Sequence, residues 1–127
     1  MKPKGLLEVI LSVQDMQKQV KFYRDLIGLE ITHPKGLPDY SAEMWVTFDT
    51  GACTLALHAG RKGEPGPGAP TIVFEVDDIR AAHDHFRSHG GKLGDIRLAS
   101  PGVQVFDGID PEGNAISFES HEQPIYG

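Results

Sequence analysis

Hydrophobic residues occupy every second position from Leu7 to Val13, and Glu8 and Ser12 lie between them. This alternation predicts a strand with one apolar and one polar face. Asp15 follows at a position that suits a helix N-cap, and the apolar spacing then changes to three or four residues. A helix is therefore predicted up to Gly28, where the chain can turn. Its buried stripe consists of Met16, Val20, Tyr23 and Ile27.

The second half of the chain repeats this order. Asp15 matches Asp78 at a separation of 63 residues, and Asp49 matches Asp110 at a separation of 61. Because sixty-odd residues make up half of the 127-residue chain, the sequence predicts a duplicated module rather than an extended array of repeats.

Each half reads as a strand, a helix and three further strands, so the predicted fold class is α+β. We expect a single domain over residues 1–127, made of two tandem βαβββ modules at 4–60 and 69–121. Residues 60–70 are rich in Gly and Pro, which predicts an exposed connector. After the first helix, strands are predicted near Leu29–Thr32, Met44–Phe48 and Thr54–His58. The second module is predicted to contain strand Thr71–Val76, helix Ile79–His89 and strands near Leu93–Arg97, Val103–Phe106 and Ala115–Glu119.

Alternation within four of these strands separates two faces. The face predicted to pack on the helices carries Leu7, Val9, Leu11, Leu55, Leu57, Ile72, Phe74, Val76, Ile116 and Phe118. The opposite face carries Glu8, Ser12, Thr54, Ala56, His58, Thr71, Val73, Glu75, Ser117 and Glu119. The simplest interpretation of this polar face is contact with solvent, which an antiparallel sheet usually has on one side.

Composition and charge argue against several classes of protein. The formal net charge is −6 and no basic face stands out, which argues against binding nucleic acid. The single cysteine, Cys53, excludes an intrachain disulfide and suits a reducing cytoplasm. No apolar run is long enough for a membrane span, and the N-terminal segment lacks the pattern of a signal peptide, so we expect a cytoplasmic protein without membrane contact.

At this point the sequence resembles a known family. The segment LLEVILSVQDMQKQVKFYRDLIGLEI is similar to the opening of vicinal oxygen chelate proteins, the superfamily of glyoxalases, bleomycin-resistance proteins and dioxygenases. The shared features are the V-x-D helix start, the pair Phe22-Tyr23 and the L-x-G-L from Leu26 to Leu29. FEVDDI and DPEGN continue the match in the second half. The resemblance implies that the two modules curl their sheets into a cup, whose cavity the polar face would line, and that the protein is a homodimer.

The resemblance also implies where a metal ion would bind. Metal-dependent members place one ligand on each of four cup-facing strands, and those positions fall here on Glu8, Ala56, Thr71 and Ser117. Only Glu8 is a competent ligand, because alanine has no donor atom and neutral hydroxyls bind transition metals poorly. The usual octahedral site is therefore expected to be absent. A divalent metal ion is not favoured as a cofactor, and no organic cofactor is expected.

A displaced site is the alternative. His58 and Glu119 lie two residues beyond Ala56 and Ser117 on the same predicted face, so they could bind a metal ion with Glu8 or Glu75. Without metal, Glu8, His58 and Glu119 are the catalytic candidates, since a carboxylate in a cavity can act as a general base. The plain interpretation is that His58 and Glu119 hydrogen-bond to each other or to a ligand.

Several further residues are candidates for contact with a ligand. Tyr40 and Trp45 follow a loop rich in Gly and Pro, and aromatic side chains in such loops often touch ligands. The full predicted set of ligand contacts is Trp45, Tyr40, Thr71, Glu75, Gln104 and Ser117. His85 and His89 are four residues apart on a predicted helix, which could form a two-ligand face. The rest of an H-E-x-x-H pattern is missing, and solvated histidines are the plainer interpretation.

Two functions remain open. One is a protein of the glyoxalase, bleomycin-resistance and dioxygenase type that binds a small molecule in the cup as a lyase- or isomerase-like enzyme, with a non-standard or absent metal site. The other is a non-catalytic protein that sequesters a small cationic or aromatic compound, as bleomycin-resistance proteins do. The net charge and the missing ligands favour the second function, and the polar cluster favours the first.

Overall fold

A four-stranded sheet and a five-stranded sheet, each with one α-helix, account for the described part of the chain. The structure is a computed structural model that describes residues 1–2, 4–66 and 68–122. The chain divides into two compact units, Met1–Gly63 (unit 1) and Glu64–Gly127 (unit 2). Unit 1 contains β1 Glu8–Val13, α1 Met16–Lys21, β2 Glu30–His33, β3 Trp45–Asp49 and β4 Thr54–Ala59. Unit 2 contains β5 Ile72–Glu75, α2 Ile79–Ser88, β6 Lys92–Leu93, β7 Arg97–Ser100, β8 Val103–Ile109 and β9 Ala115–His121.

Strand order is the same in both units, which confirms the two tandem βαβββ modules. In unit 1 the order is β1-β4-β3-β2, and in unit 2 it is β5-β9-β8-β6, with β7 also paired to β8. In both units the first strand runs parallel to the last one, and the remaining pairs are antiparallel. The role of residues 60–70 as a connector stays a prediction.

Both helices begin in the same way. The Asp15 carboxylate accepts a hydrogen bond from the Lys18 amide at 3.0 Å, and the Asp78 carboxylate accepts one from the Ala81 amide at 3.0 Å. Each aspartate has extended backbone angles, as an N-cap requires, and satisfies one amide that has no partner within the helix. The repeat detected in the sequence therefore includes the hydrogen bond that caps the N-terminus of each helix.

The first helix is shorter than its apolar stripe predicts. Regular α1 ends at Lys21, and a π-helical turn continues from Phe22 to Leu26. The Ile27 amide donates to the carbonyl of Phe22, five residues back, at 3.0 Å. Because the wide turn holds more residues, Phe22 and Tyr23 are both buried, whereas Ile27 is only half-buried.

Unit 1 buries its core between α1 and one face of its sheet. Tyr23 lies against Phe48, with ring centroids 6.2 Å apart, and neither ring is exposed. The other buried residues of this layer are Val13, Met16, Val20, Val46, Leu55 and Leu57. Leu7 corrects one expectation: it precedes β1 and is 82% exposed, so it does not belong to the packed face.

Unit 2 has an aromatic core. Phe86 of α2 contacts Phe106 and Phe118 at centroid distances of 6.1 and 5.6 Å, and Phe106 stacks on Phe118 at 4.8 Å. The predicted strand near Leu93–Arg97 is wrong as a single element, because the chain there forms β6 and β7 with a break between them. At the break, Gly94 donates its amide to the Asp107 carbonyl at 2.9 Å, and β6 and β7 each pair antiparallel with β8.

Close approach of the backbone to Phe86 requires a glycine at position 91. A Cβ placed there would overlap the Phe86 ring and lie 2.8 Å from the Phe86 carbonyl oxygen. We therefore expect Gly91→Ala to lower the free energy of unfolding by about 1–3 kcal/mol, measured by urea denaturation with circular dichroism. Gly94→Ala is the matched control, since its nearest neighbour would be 4.0 Å away, and it should stay within about 0.5 kcal/mol of wild type. Equal losses in both variants would contradict the packing explanation.

Candidate functional site

The sheet of unit 1 has one face that does not pack on α1, called here the polar face of unit 1. Cross-strand neighbours on this face form three rows. Parallel pairing of β1 with β4 sets Glu8 beside Thr54, Ile10 beside Ala56 and Ser12 beside His58. Antiparallel pairing of β3 with β4 continues the rows, and β2 adds Glu30 beside Asp49. The acidic row is Glu8, Thr54, Asp49 and Glu30. The middle row is Ile10, Ala56 and Thr47, and the aromatic row is Ser12, His58 and Trp45.

The aromatic row brings together two residues that the sequence placed in separate groups. The ring centroids of Trp45 and His58 are 5.7 Å apart and the planes meet at 64°, an edge-to-face contact. His58 is exposed and Trp45 is half-buried, so both present ring surface on the polar face of unit 1. The register of the sheet thus places Trp45, a predicted ligand contact, beside His58, a predicted catalytic residue.

Glu8 and His58 do not come together. They belong to the first and third rows, on neighbouring strands and four residues apart in register, which separates their Cα atoms by about 14 Å. A single metal ion with ligand bonds of about 2 Å cannot bridge that separation. The displaced metal site built from Glu8 and His58 is thus not supported by the geometry of unit 1.

Tyr40 lies inside unit 1 and away from the polar face. It is 1% exposed, and its hydroxyl donates to the Pro34 carbonyl at 2.7 Å. Its backbone amide donates to Oε1 of Gln17 on α1 at 2.6 Å. Tyr40 therefore anchors the loop 34–44 to the helix, and the structure does not place it for direct contact with a ligand.

Unit 2 has a corresponding polar face on the side of its sheet that does not pack on α2. Parallel pairing of β5 with β9 sets Val73 beside Ser117 and Glu75 beside Glu119. Antiparallel pairing with β8 adds Asp107 beside Ser117 and Val105 beside Glu119. Predicted site residues Glu75, Ser117 and Glu119 therefore share one face.

Ser117 belongs to a hydrogen-bonded network. Its hydroxyl donates to Oδ1 of Asp107 at 2.9 Å, and Nη1 of Arg97 lies 2.7 Å from Oδ2 of the same carboxylate. The hydrogen bond from Arg97 is the main cause that lowers the pKa of Asp107, and the bond from Ser117 adds to it against the opposing effect of burial. Asp107 is therefore ionised and held by two neighbours at neutral pH.

Glu119 has a partner in its own strand. Oε1 of Glu119 is 3.0 Å from Nε2 of His121, and both side chains are largely shielded from solvent. The two residues are neighbours on one face because side chains alternate along β9. This pair lies within unit 2, and the partnership of Glu119 with His58 stays a prediction.

Two other predicted ligand contacts lie elsewhere. Thr71 precedes β5 and is exposed. Gln104 alternates with Val105 and shares the helix-side face of β8 with Phe106, so it points away from Ser117 and Glu119. It lines a cavity of about 400 Å³ beside α2. The prediction that Gln104 joins the polar face is not supported by this register.

Sequence reasoning missed several polar residues of these faces, among them Glu30, Asp49, Arg97, Asp107 and His121. Alternation along β9 could have identified His121, since it continues the series Ser117 and Glu119. Asp107 and Arg97 could not be identified that way, because their roles depend on which strand lies next to β9.

The donor set at the four family positions does not fit a divalent transition metal. Ala56 contributes a methyl group, and the Ser117 hydroxyl is already bonded to Asp107. Thr71 offers a neutral hydroxyl, which leaves Glu8 as the single carboxylate. Among residues 1–2, 4–66 and 68–122, no three His, Cys, Asp or Glu side chains gather as metal ligands would.

Two sheets of identical strand order, each with a polar face opposite its helix, define a duplicated α+β fold, and comparison with known proteins identifies the class. A sequence profile of the Glyoxalase/Bleomycin resistance protein/Dioxygenase superfamily matches residues 5–118. The chain belongs to this superfamily. In the described residues, no helix has the length and apolar character needed to cross a bilayer.

Individual relatives agree with this assignment. A lactoylglutathione lyase of Haemophilus influenzae is 26% identical over 123 residues, which cover 89% of this chain and 90% of the relative. A probable lactoylglutathione lyase of Synechocystis is 29% identical over 123 residues, covering 87% and 91%. The crystal structure of a lactoylglutathione lyase from Agrobacterium tumefaciens has a TM-score of 0.71 at 23% identity, covering 94% and 95%. At that identity, the structural likeness shows the fold alone.

The network around Asp107 makes a pH-dependent prediction. Arg97→Gln should raise the pKa of Asp107 toward its ordinary value of about 3.9, and Ser117→Ala should raise it less. A carboxyl group whose pKa is lowered in the folded state stabilises the protein at pH values above its ordinary pKa. That stabilisation is lost as the pH falls through the lowered pKa. A ¹³C NMR titration of the Asp107 carboxyl group measures both shifts. An unchanged titration in Arg97→Gln would show that the ion pair does not form.

Proposed function

We propose that this protein binds a small organic cation with an aromatic group, and that it does so without a divalent metal ion. The observation that carries this proposal is the order of the three rows on the polar face of unit 1. Carboxylates occupy one end, the exposed side chain of Ile10 lies in the middle, and Trp45 with His58 occupy the other end. A ligand with matching polarity along its length would contact all three rows.

The acidic row supports a positively charged group on the ligand. Glu8 and Asp49 flank Thr54, and Glu30 follows Asp49 at the edge of the sheet. Neighbouring strands are about 4.8 Å apart, so the Glu8 and Asp49 backbones are separated by about 9.6 Å. An ammonium or guanidinium group between them would be attracted by both carboxylates.

The middle and aromatic rows support an apolar and aromatic remainder. Ile10 is 56% exposed, although it lies within a strand, so its side chain is available to a hydrophobic partner. Trp45 offers an indole surface, which stacks on aromatic rings and also attracts cations. The rows at the two ends are about 13 Å apart, and this distance sets the span between the charged group and the ring.

The donor set supports a site without metal. Known metal chemistry of the superfamily needs ligands at positions that carry Ala56, Thr71 and Ser117 in this chain. None of these side chains supplies the imidazole or carboxylate that a transition metal prefers. Lyase activity of the metal-dependent kind is therefore not part of the proposal, although relatives are named lactoylglutathione lyases.

A metal-independent lyase or isomerase is the second candidate function, and the polar face of unit 2 favours it. The pair Glu119–His121 places a carboxylate beside an imidazole, a combination that can transfer protons. Glu75 is the cross-strand neighbour of Glu119. In this version Glu119 and His121 act on the ligand. A cytoplasmic location and a homodimer are further predictions for this protein.

Fluorescence of Trp45 tests the proposed function, because the chain contains one tryptophan. Titration with phenylalkylamines of increasing chain length should change the emission, with the tightest binding when ring and ammonium are about 13 Å apart. Uncharged phenylalkyl alcohols of equal length should bind more weakly. Glu8→Gln and Glu30→Gln should each weaken amine binding about two- to fivefold, because exposed ion pairs contribute at most about 1 kcal/mol.

Asp95→Asn is the matched control for these substitutions. It removes one exposed carboxylate of unit 2 that lies between β6 and β7, and it should leave amine binding unchanged. Equal affinity for amines and alcohols would contradict the role of the acidic row. Loss of binding after treatment with a chelator, with recovery on adding Zn²⁺, Ni²⁺ or Mn²⁺, would contradict binding without metal.

A further inference from the structure

The outer surface of α2 carries two histidines that the proposed function does not use. His85 and His89 are four residues apart, and both are exposed near the end of the helix. We propose that this histidine pair binds one divalent transition metal ion, of the type that prefers imidazole: Cu²⁺, Ni²⁺ or Zn²⁺. The site is separate from the four family positions and contains none of the residues assigned to ligand binding.

Ring geometry supports a chelate. Residues four apart project from the same face of a helix, and the centroids of the His85 and His89 rings are 4.1 Å apart with a tilt of 37°. Metal–nitrogen bonds of 2.0–2.1 Å at tetrahedral or octahedral angles need nitrogen atoms about 3 Å apart. Small rotations of these exposed rings bring one nitrogen of each ring to that distance.

Hydrogen bonding assigns the nitrogen that His89 would use. Nδ1 of His89 is 2.8 Å from the His85 carbonyl oxygen and 3.2 Å from the Ser88 hydroxyl oxygen. Because a carbonyl oxygen can only accept, Nδ1 carries the hydrogen and Nε2 keeps its lone pair. Metal-binding histidines commonly donate their other ring N–H to a backbone carbonyl in this way, which fixes the tautomer and the ring orientation.

The position at the end of the helix adds an electrostatic contribution. The last carbonyl groups of a helix carry partial negative charge, so a cation is stabilised there. Arg87, which lies between the two histidines in the sequence, is paired with Asp84 at 3.1 Å. Both features favour a cation over an anion beside His85 and His89.

His83 shows why the pair and not the whole histidine cluster is the site. Nε2 of His83 is 3.0 Å from the Gly94 carbonyl oxygen, and its ring packs edge-on against Phe106 at 5.0 Å. These contacts hold His83 in the packing between α2 and the sheet. The remaining coordination positions of the metal ion would be filled by water, since in the described stretches of the chain no third ligand group lies beside the pair.

Isothermal titration of the untagged full-length protein with CuCl₂, NiCl₂ and ZnCl₂ tests the proposal. One ion per chain should bind, with Cu²⁺ tightest in accordance with the Irving–Williams order. His85→Asn and His89→Asn should each weaken binding at least about tenfold, because even the loss of an outer partner of a metal ligand costs about 10- to 100-fold. In ¹H–¹⁵N spectra, Zn²⁺ should shift the imidazole signals of His85 and His89.

Two controls separate this site from other histidines. The double variant His85→Ser with Ser88→His keeps the number of histidines but makes two of them adjacent, on different sides of the helix, and should bind as weakly as His85→Asn. His58→Asn in unit 1 should bind like wild type. Absence of binding below millimolar metal would overturn the proposal, as would binding that depends on His58 or survives the double variant. Since ligand binding by Trp45 is measured separately, failure here leaves the proposed function intact.

Discussion

Parallel pairing of the first strand with the last strand of each unit is the constraint on which the rest of the structure depends. In unit 1 it sets Val9 beside Leu55 and Leu11 beside Leu57, so the apolar side chains meet on the face that α1 covers. A shift of one residue would expose them and bury Glu8 and Ser12 instead, which is why burial fixes the register so strongly. The same pairing leaves the polar residues in rows on the other face. The chemistry of that face is thus a by-product of how the core is packed.

The two units share the same backbone arrangement, but the side chains on their polar faces differ. Asp15 and Asp78 begin their helices with the same hydrogen bond, and the strand order is the same in both units. His58 and Glu119 occupy matched positions at a separation of 61 residues, yet each has a different neighbour. Trp45 lies beside the histidine, and His121 lies beside the glutamate. Backbone hydrogen bonds define the repeat, and the side chains on the polar faces differ between the two units.

Predictions from the sequence succeed where the physical signal is local. Alternation identified the two faces of β1, β4, β5 and β9, and capping residues located both helix starts, because these patterns depend on a few adjacent residues. The π-helical turn and the break between β6 and β7 were not predicted, since tertiary packing decides them. The network of Arg97, Asp107 and Ser117 joins three strands, and its members become neighbours only after the sheet has formed. Tyr40 was misplaced for the same reason: its position in a loop rich in Gly and Pro does not disclose its bonds to Pro34 and Gln17.

The bonds of Tyr40 also affect how unit 1 can respond to a partner. The loop 34–44 leads directly into Trp45, and it is held at Pro34, Leu37 and Gln17 through the hydroxyl and amide of this one residue. A loop without such bonds would lose conformational freedom when a ligand arrived, and that loss would subtract from the affinity. In this protein the loop has already lost that conformational freedom in the folded state, before a ligand arrives. The indole next to the loop would therefore meet the proposed ligand as a rigid surface, which favours selection by shape over adaptation to many partners.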